Sequence, residues 1–569
     1  MPWGVSDQAP RVDVAAPQRR VTASPFPGAD LRLCVEGALA AEGHLLTAGE
    51  VHVARSILAL SEGALELYAR LSLRQPRVFR HAELDYAGDM AGNVAQLEAA
   101  SLLGTVVPDS LCLPAFTADE LRGACRRLGV DARGNRPLLE ERLRGRRWVD
   151  EPVLLVRHRA LLRRLEILFF QTPHVTRQDL VLERVGVARW AQYAITGGPG
   201  LFPRRSALLL WERARAGAWT ADDMERALAI PDAGAPLDPW RYAVAARLEA
   251  LSALPAADRV GPLRALLSGP RGDPRGVRIA LARALEEAVQ TGEALEVVVA
   301  GQGSGSADAL ACARTARRLA RSLKRAIPPV AELRVPRSRT VEVAGGGAQG
   351  PGARPTWPDA AGQPVTIERA VVDWLAAVGR SAIHAEQSPW VGLYALVFAD
   401  AYFLPVPGML PTAFRSGPVD VGTPGFYARR RAHLDARLDE VSRFGTVSYV
   451  ERYGGERLSG LLNVDATRFI AAHAPHAMAA CVLGRLASEG WGAAAGLPDL
   501  FVAPGSPARL ALPAARISAL PARLPESAFL AEIKGPTDAL RDEQRIWIDR
   551  LLGSGISVEL WELRTQCLK

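Results

Sequence analysis

Two carboxylates and a lysine in the last quarter of the sequence have the types and spacing of a metal-dependent hydrolytic site. Asp499 precedes the apolar run 500–503, and Glu532 and Lys534 belong to a second run, 529–534. Both runs are short and bounded by turn residues, so each is predicted to be a β-strand. Because side chains alternate along a strand, Glu532 and Lys534 share one face, and Asp499 joins them there if the strands pair.

Such a cluster suits chemistry on a phosphodiester. Mg²⁺ and Mn²⁺ favour carboxylate oxygens, and often take one or two protein carboxylates while substrate phosphate completes the shell. Asp499 and Glu532 fit that demand. A lysine beside the metal can position or help deprotonate the attacking water and offset charge on the phosphate. We therefore predict metal-dependent hydrolysis, with Asp499, Glu532 and Lys534 as the catalytic residues.

The residues around this cluster match a known signature. Pro498-Asp499 followed by Glu532-Ile533-Lys534 resembles the PD-(D/E)XK nuclease motif. The run 496–500, the Lys-Gly-Pro at 534–536, and a Gln and a Trp on the following helix resemble its VRR-NUC branch. The segment 384–388 resembles the preceding part of that branch, which has a further metal-binding glutamate. As a whole, the chain resembles the bacterial Fanconi-associated nucleases.

The resemblance implies a ligand set, a cofactor and a reaction. The metal ligands would be Glu386, Asp499, Glu532 and the backbone carbonyl of Ile533, and Gln544 would contact DNA. The cofactor would be Mg²⁺ or Mn²⁺, bound as two ions. The family cuts 5′ flaps, trims DNA from 5′ to 3′ and acts in interstrand crosslink repair, so the expected partner is flapped or branched DNA. A four-way-junction resolvase and a noncatalytic DNA-structure-binding scaffold remain as alternatives.

Composition agrees with a DNA-binding protein of several domains. The 569 residues are too many for one core, and the net charge of +8 suits a polyanionic partner. We expect no membrane span and no signal peptide, and hence a cytoplasmic protein that is nucleoid-associated when bound to DNA. The six cysteines lack zinc spacing and are expected to be reduced and mostly structural. His473 and His476 lie three apart without further nearby ligands, so we interpret them as ordinary histidines.

The predicted fold is an α+β multidomain chain whose N-terminal and middle regions are largely helical. Residues 1–112 are predicted to be helical and helix-turn-helix-like or winged-helix-like, with arginines at 70, 74, 77 and 80 that could contact a duplex. A helical packing domain with an ordinary solvated face is the alternative. Residues 113–148 resemble a SAP motif, in which Thr117 caps the first helix with Glu120. There Arg126, Arg127 and Arg136 would contact phosphates.

The second half is predicted to lead from a helical array to the nuclease domain. Residues 149–342 form a helical linker and a tetratricopeptide-like region ending in a basic helix, 314–325. The Gly-rich segment 345–352 is a break before the VRR-NUC domain, 358–569. This domain is predicted to contain a small mixed sheet, helices at 367–378 and 394–403, and a last strand at 556–563. The insert 504–525 is expected to form an elongated hairpin or loop, and Glu543 stands where animal relatives have a basic residue, so anchoring of a 5′ phosphate is left open.

Overall fold

In a computed structural model of the protein, the described residues form two compact units. The N-terminal unit comprises residues 27–205 with 407–415, and the C-terminal unit comprises 206–406 with 417–566. The structure describes residues 27–74, 78–81, 84, 86, 88–105, 112–146, 148–149, 153–172, 175–184, 193–197, 200–230, 239–269, 276–303, 305–326, 329, 332–344, 356–358, 363–415, 417–453, 463–505, 517–519, 524–535 and 538–566. The predicted break at 345–352 lies outside these residues.

The N-terminal unit combines helices with a three-stranded antiparallel sheet. Its helices are α1 (Pro27–Glu42), α2 (Ala48–Leu58), α3 (Glu62–Leu73), α4 (Met90–Ala99), α5 (Ala118–Arg127), α6 (Arg136–Leu143), α7 (Arg159–Phe170) and α8 (Arg177–Arg184). Its strands are β1 (Val78–Arg80), β2 (Leu103–Gly104) and β3 (Val153–Val156), in the order β1-β3-β2. The helices agree with the predicted helical start. The central strand β3 comes from beyond the SAP-like segment, so sequence neighbours do not complete this sheet.

The SAP-like segment folds as the two predicted helices, α5 and α6. Thr117 and Glu120 form the predicted capping box at the start of α5, and Gly129 follows the helix with φ +66°. A buried cluster that includes Leu121 and Leu139 joins α5 to α6. Local sequence signals therefore specified this module correctly.

The arginines of the N-terminal unit differ in how much of their charge faces solvent. Arg126 and Arg127 are exposed at the end of α5. Arg136 instead pairs with Glu140 at 2.6 Å and donates a hydrogen bond to the Leu113 carbonyl. Arg136 thus braces the module, whereas the first two present their guanidinium groups to solvent.

The C-terminal unit begins with a helical array. Its helices are α9 (Arg205–Arg215), α10 (Ala221–Leu228), α11 (Pro239–Ser252), α12 (Ala256–Leu267), α13 (Val277–Glu287), α14 (Thr291–Val299) and α15 (Ala307–Ser322). Consecutive helices from α12 to α15 pack on one another around buried leucine, valine and alanine side chains. This agrees with the predicted tetratricopeptide-like stack, in which each helix pair buries its apolar face against the next.

A six-stranded mixed sheet forms the centre of the remaining part. The strands of this part are β4 (Arg337–Ala344), β5 (Trp357–Pro358), β6 (Pro364–Val365), β7 (Arg380–His384), β8 (Leu500–Pro504), β9 (Ile517–Ala519), β10 (Phe529–Lys534) and β11 (Val558–Gln566). A separate two-stranded ribbon is made of β5 and β6. In the six-stranded sheet the strand order is β7-β8-β10-β11-β4-β9. The β10–β11 and β11–β4 pairs are parallel, and the other pairs are antiparallel.

Helices cover this sheet and connect its strands. They are α16 (Ile367–Ala377), α17 (Ser388–Val397), α18 (Pro424–Phe444), α19 (Val447–Tyr453), α20 (Val464–His473), α21 (His476–Glu489) and α22 (Asp542–Gly553). The predicted helix at 394–403 instead begins at Ser388, where Pro389 occupies the first turn and starts the helix early. Among the described residues, no helix combines the length and apolar character needed to cross a bilayer.

Two sheet strands and the insert differ from the sequence-based prediction. Strands β4 and β7 were not predicted. β4 also precedes the Gly-rich segment 345–352, which was predicted to separate the domain 358–569 from the helical region. Within the insert, β9 pairs antiparallel with β4 at the sheet edge, while residues 506–516 and 520–523 lie outside the described residues. β4 contains an alternating Thr-Val-Glu-Val run at 340–343 that the sequence analysis did not interpret as a strand, whereas β7 is short and mixes polar with apolar residues.

A buried ion pair aligns β4 with β11. Arg339 approaches Glu559 at 2.6 Å through both Nε and Nη2, and the indole N–H of Trp561 donates to the same carboxylate at 2.9 Å. Trp561 also packs edge-on against Trp374 of α16. Since a buried charge must keep its partner, this contact selects one register for the parallel pair.

Candidate metal centre

Pairing of β8 with β10 brings Asp499 to the strand that carries the other two site residues. Leu500 is the partner of Ala531 in this antiparallel pair, so Asp499 lies one residue beyond the ladder. Its Oδ2 accepts a hydrogen bond of 2.8 Å from the backbone N–H of Ile533. The Ile533 side chain belongs to the buried apolar cluster on the opposite face. The predicted strand pairing and the predicted position of Asp499 are both seen.

Glu532 and Lys534 contact each other on the polar face of β10, as strand alternation requires. Lys534 Nζ lies 2.8 Å from Glu532 Oε1 and donates a 3.0 Å hydrogen bond to Gln544 Oε1. The Gln544 amide group donates in turn to Glu532 Oε1. The three side chains therefore form a closed ring of contacts, and all three are buried.

Helix α22 fixes the position of Gln544. Gln544 is the third residue of the helix, and its Oε1 accepts the backbone N–H of Arg541 at 2.9 Å as part of a capping box. One oxygen thus both caps the helix and holds Lys534. A DNA contact by Gln544 remains a prediction, but both ends of its amide are occupied inside the protein, which gives the side chain a positioning role.

The segment before Asp499 packs against the same helix. Gly496 has φ +86°, and a Cβ there would approach the backbone of Glu543 and Gln544 to within 2.6–2.8 Å. One turn further along α22, the Trp547 indole N–H donates to the Ala493 carbonyl at 2.7 Å. The glycine and the tryptophan of the motif therefore hold the Asp499 loop against α22, and a larger residue at 496 would separate them.

The end of strand β7 and the turn after it add two further side chains to the site. His384 is paired with Leu500, and the next residue, Ala385, donates its N–H to the Asp499 carbonyl at 2.7 Å. One ligand atom from each of His384, Glu386 and Asp499 lies within 4.8 Å of the others. The predicted ligand Glu386 is therefore beside Asp499. The sequence analysis did not single out His384, although a histidine two residues before a glutamate at a strand end is a recognisable pattern.

An arginine stands beside this cluster. Arg541 Nη2 lies 3.8 Å from Glu386 Oε1, and its side chain is largely exposed. Its backbone position is held by the Gln544 cap described above. A cation is thereby placed at the mouth of the site, where phosphate would approach.

Burial makes the charged forms of the central carboxylates costly. Burial, with Glu386 adding to it, raises the pKa of Asp499 to about 6. Burial and then the neighbouring Asp499 raise the pKa of Glu532 to about 8, although Lys534 is in contact with it. Within the described part of the chain, Glu532 Oε2 is buried and has no hydrogen-bond partner. Crowded carboxylates with a spare inward-facing oxygen suit a hard divalent cation, whose charge would favour their ionised forms.

We expect Glu532→Gln to stabilise the metal-free protein at alkaline pH. With a folded-state pKa of about 8 against an ordinary value of 4.5, Glu532 binds a proton between these pH values in the folded state only. The free energy of unfolding of the wild type should therefore fall as pH rises through this window and stay lower above it. The Glu532→Gln variant should show no such loss. In EDTA, the difference in Tm between variant and wild type should grow from near zero at pH 5 to about 3 °C at pH 9. A difference that does not change with pH would contradict the assignment.

Comparison with known proteins shows a family model that matches one segment of the chain. Residues 457–563 match the model of the VRR-NUC domain. This segment of the chain is similar to a VRR-NUC domain. The matched range includes Asp499, Glu532, Lys534 and Gln544, whereas His384 and Glu386 precede it. The predicted resemblance is confirmed.

Curated proteins similar to this chain include Fanconi-associated nucleases. It is 28% identical over 204 residues to the Fanconi-associated nuclease 1 homolog of Arabidopsis thaliana, a match that covers 33% of this chain and 21% of the plant protein. It is 25% identical over 217 residues to the Schizosaccharomyces pombe homolog, covering 36% of this chain and 28% of the yeast protein. The human Fanconi-associated nuclease 1 is 27% identical over 195 residues, covering 31% and 17%. The matched stretch is thus less than a third of each relative.

A solved structure shares the fold over nearly the whole of this chain. The crystal structure of paFAN1 bound to DNA with a two-nucleotide 5′ flap and a gap aligns with a TM-score of 0.76 and 21% identity. The alignment covers 96% of this chain and 100% of that one. The predicted α+β multidomain class is confirmed.

Proposed function

We propose that this protein is a structure-specific, metal-dependent DNA nuclease that cuts 5′ flaps, trims DNA from 5′ to 3′ and acts in interstrand crosslink repair. The observation that carries the proposal is the buried ring of Glu532, Lys534 and Gln544 beside Asp499, within a VRR-NUC domain. The names of its relatives and the flap DNA in the aligned structure support the substrate class. Such an enzyme would act on the chromosome, so the predicted association with the nucleoid belongs to this proposal.

The residues present fit a divalent metal site. Asp499, Glu532 and Glu386 would hold Mg²⁺ or Mn²⁺, as two ions, with the Ile533 carbonyl as a further ligand. When bound, the metal would acidify a coordinated water and neutralise charge on the phosphate. The raised pKa values of Asp499 and Glu532 mean that metal binding and proton release are coupled.

Lys534 has one N–H donor that its two contacts within the protein do not use. An ammonium group has three N–H donors, and Gln544 Oε1 and Glu532 Oε1 take two of them. The third can hold the attacking water or a nonbridging phosphate oxygen. Since the other two contacts fix Nζ from both sides, the third donor has a defined direction, which is the condition for electrostatic stabilisation of a transition state.

Backbone contacts would supply DNA affinity. Arg126 and Arg127 are exposed on α5 and remain the proposed phosphate contacts, while Arg136 has partners in its own module. On the basic helix α15, Arg314 pairs with Asp542 and Arg318 pairs with Glu286. These two arginines link α15 to its neighbours, so that helix also has a structural role. Phosphate contacts carry no base information, and we propose recognition of DNA shape.

The proposed function is tested by comparing cleavage of DNA substrates that differ in structure or in base sequence. A labelled 5′ flap, its sequence-scrambled version, the matching linear duplex and a four-way junction are cleaved at two salt concentrations. We expect the two flaps to be cut within about twofold of each other, the duplex at least about tenfold more slowly, and affinity to fall steeply with salt. Equal cleavage of duplex and flap with a strong sequence preference would contradict the proposal. Faster cutting of the junction would favour a resolvase.

A further inference from the structure

We infer that His384 is an additional ligand of the metal centre and that it biases the site towards Mn²⁺ over Mg²⁺. The inference rests on the proposed metal-dependent function, which it extends by a ligand and by a choice of metal. His384 precedes the matched VRR-NUC range, 457–563.

The backbone of His384 is fixed against that of Asp499. His384 ends β7 opposite Leu500, and the Ala385 N–H bond to the Asp499 carbonyl extends this pairing by one residue. After Glu386, Gln387 has φ +59° and turns the chain into α17. Glu386 follows the end of β7 by two residues, and this turn brings one ligand atom each of His384 and Glu386 beside Asp499.

The ligand atoms lie near the spacing that one ion requires. Two ligands bound at about 2.1 Å can be at most about 4.2 Å apart, and one atom from each of His384, Glu386 and Asp499 lies within 4.8 Å of the others. The His384 side chain is exposed, so a small rotation can close the remaining gap. The cluster also adjoins Glu532, whose Oε2 is buried and lacks a partner within the described chain.

The nitrogen donor changes which metal is favoured. Mg²⁺ is a hard cation that prefers oxygen ligands in a near-octahedral shell, whereas imidazole is a better ligand for first-row transition metals. A set of carboxylates alone would not distinguish the two ions by donor type. Adding one imidazole should strengthen Mn²⁺ binding and leave Mg²⁺ binding little changed.

Direct observation of the metal tests this without relying on cleavage. The full chain is titrated with Mn²⁺ by EPR, the bound ion is examined by pulsed EPR for nitrogen coupling, and Mg²⁺ affinity is measured by competition. His384→Ala and His384→Gln are compared with His473→Ala, a matched histidine on α20 that is also exposed.

We expect imidazole nitrogen coupling in the wild type and in His473→Ala, and its loss in both His384 variants. The Kd for Mn²⁺ should rise about tenfold or more in His384→Ala, while that for Mg²⁺ should change by no more than about threefold. Two results would overturn this inference and leave the proposed function intact. One is Mn²⁺ bound without a nitrogen coupling that depends on His384, and the other is an equal loss of affinity for Mn²⁺ and Mg²⁺ in His384→Ala. A wild-type protein that binds no Mn²⁺ would overturn the proposed metal-dependent function as well.

Discussion

Lys534→Ala is expected to lower kcat for flap cleavage by about 10³-fold. Its ammonium group is held between Glu532 and Gln544, and in the proposed mechanism its remaining donor would contact the water or the phosphate. Lys534 is the cation in contact with Glu532 in the part of the chain that the structure describes, so the transition-state charge would lose its positioned donor. Flap affinity should stay within a few fold, because binding comes mainly from backbone contacts spread over other parts of the chain.

Cleavage and gel-shift assays on the same flap separate these two effects. Asp499→Asn keeps the volume of the side chain and an oxygen that can accept the Ile533 N–H, and it should abolish cleavage as fully by removing a metal ligand. Circular dichroism and thermal melting check that both variants are folded. Full cleavage activity in both would refute the site assignment.

Gln544→Ala is expected to lower kcat about 10- to 100-fold while KM changes little. The amide contacts Lys534 and Glu532 and caps α22 through the Arg541 N–H, so its loss removes one of the two contacts that hold the ammonium group and leaves Lys534 as the donor to Glu532. Because Gln544 is buried, it acts by positioning these groups. The Glu532 carboxyl would then titrate differently, so the pH optimum of cleavage should also move.

Arg545→Ala is the control for Gln544→Ala. Arg545 is the next residue on α22, is exposed, and makes one long hydrogen bond of 3.4 Å to the Leu540 carbonyl. At saturating DNA its substitution should leave kcat and the pH optimum almost unchanged. If Gln544→Ala instead weakens DNA binding and preserves kcat, the predicted DNA contact is the better account of this residue.

Features that depend on neighbouring residues were predictable from the sequence. Strand β10 has the predicted bounds, and Glu532 and Lys534 share a face because side-chain alternation is a local property. The capping box of Thr117 and Glu120 formed as predicted for the same reason. The family motif located Glu386 and Asp499 as partners, a relation that spacing alone would not have shown.

The tertiary structure decided which distant segments meet. β7 is short and has no regular alternation, and it joins the sheet because pairing satisfies its backbone groups beside an already buried strand. Pairing of β7 with β8 brings His384 next to Asp499. Packing of α22 on the Asp499 loop turns Gln544 inwards. A local pattern sets the direction of a side chain within its own element, but its neighbours across the sheet depend on pairings between residues far apart in the chain.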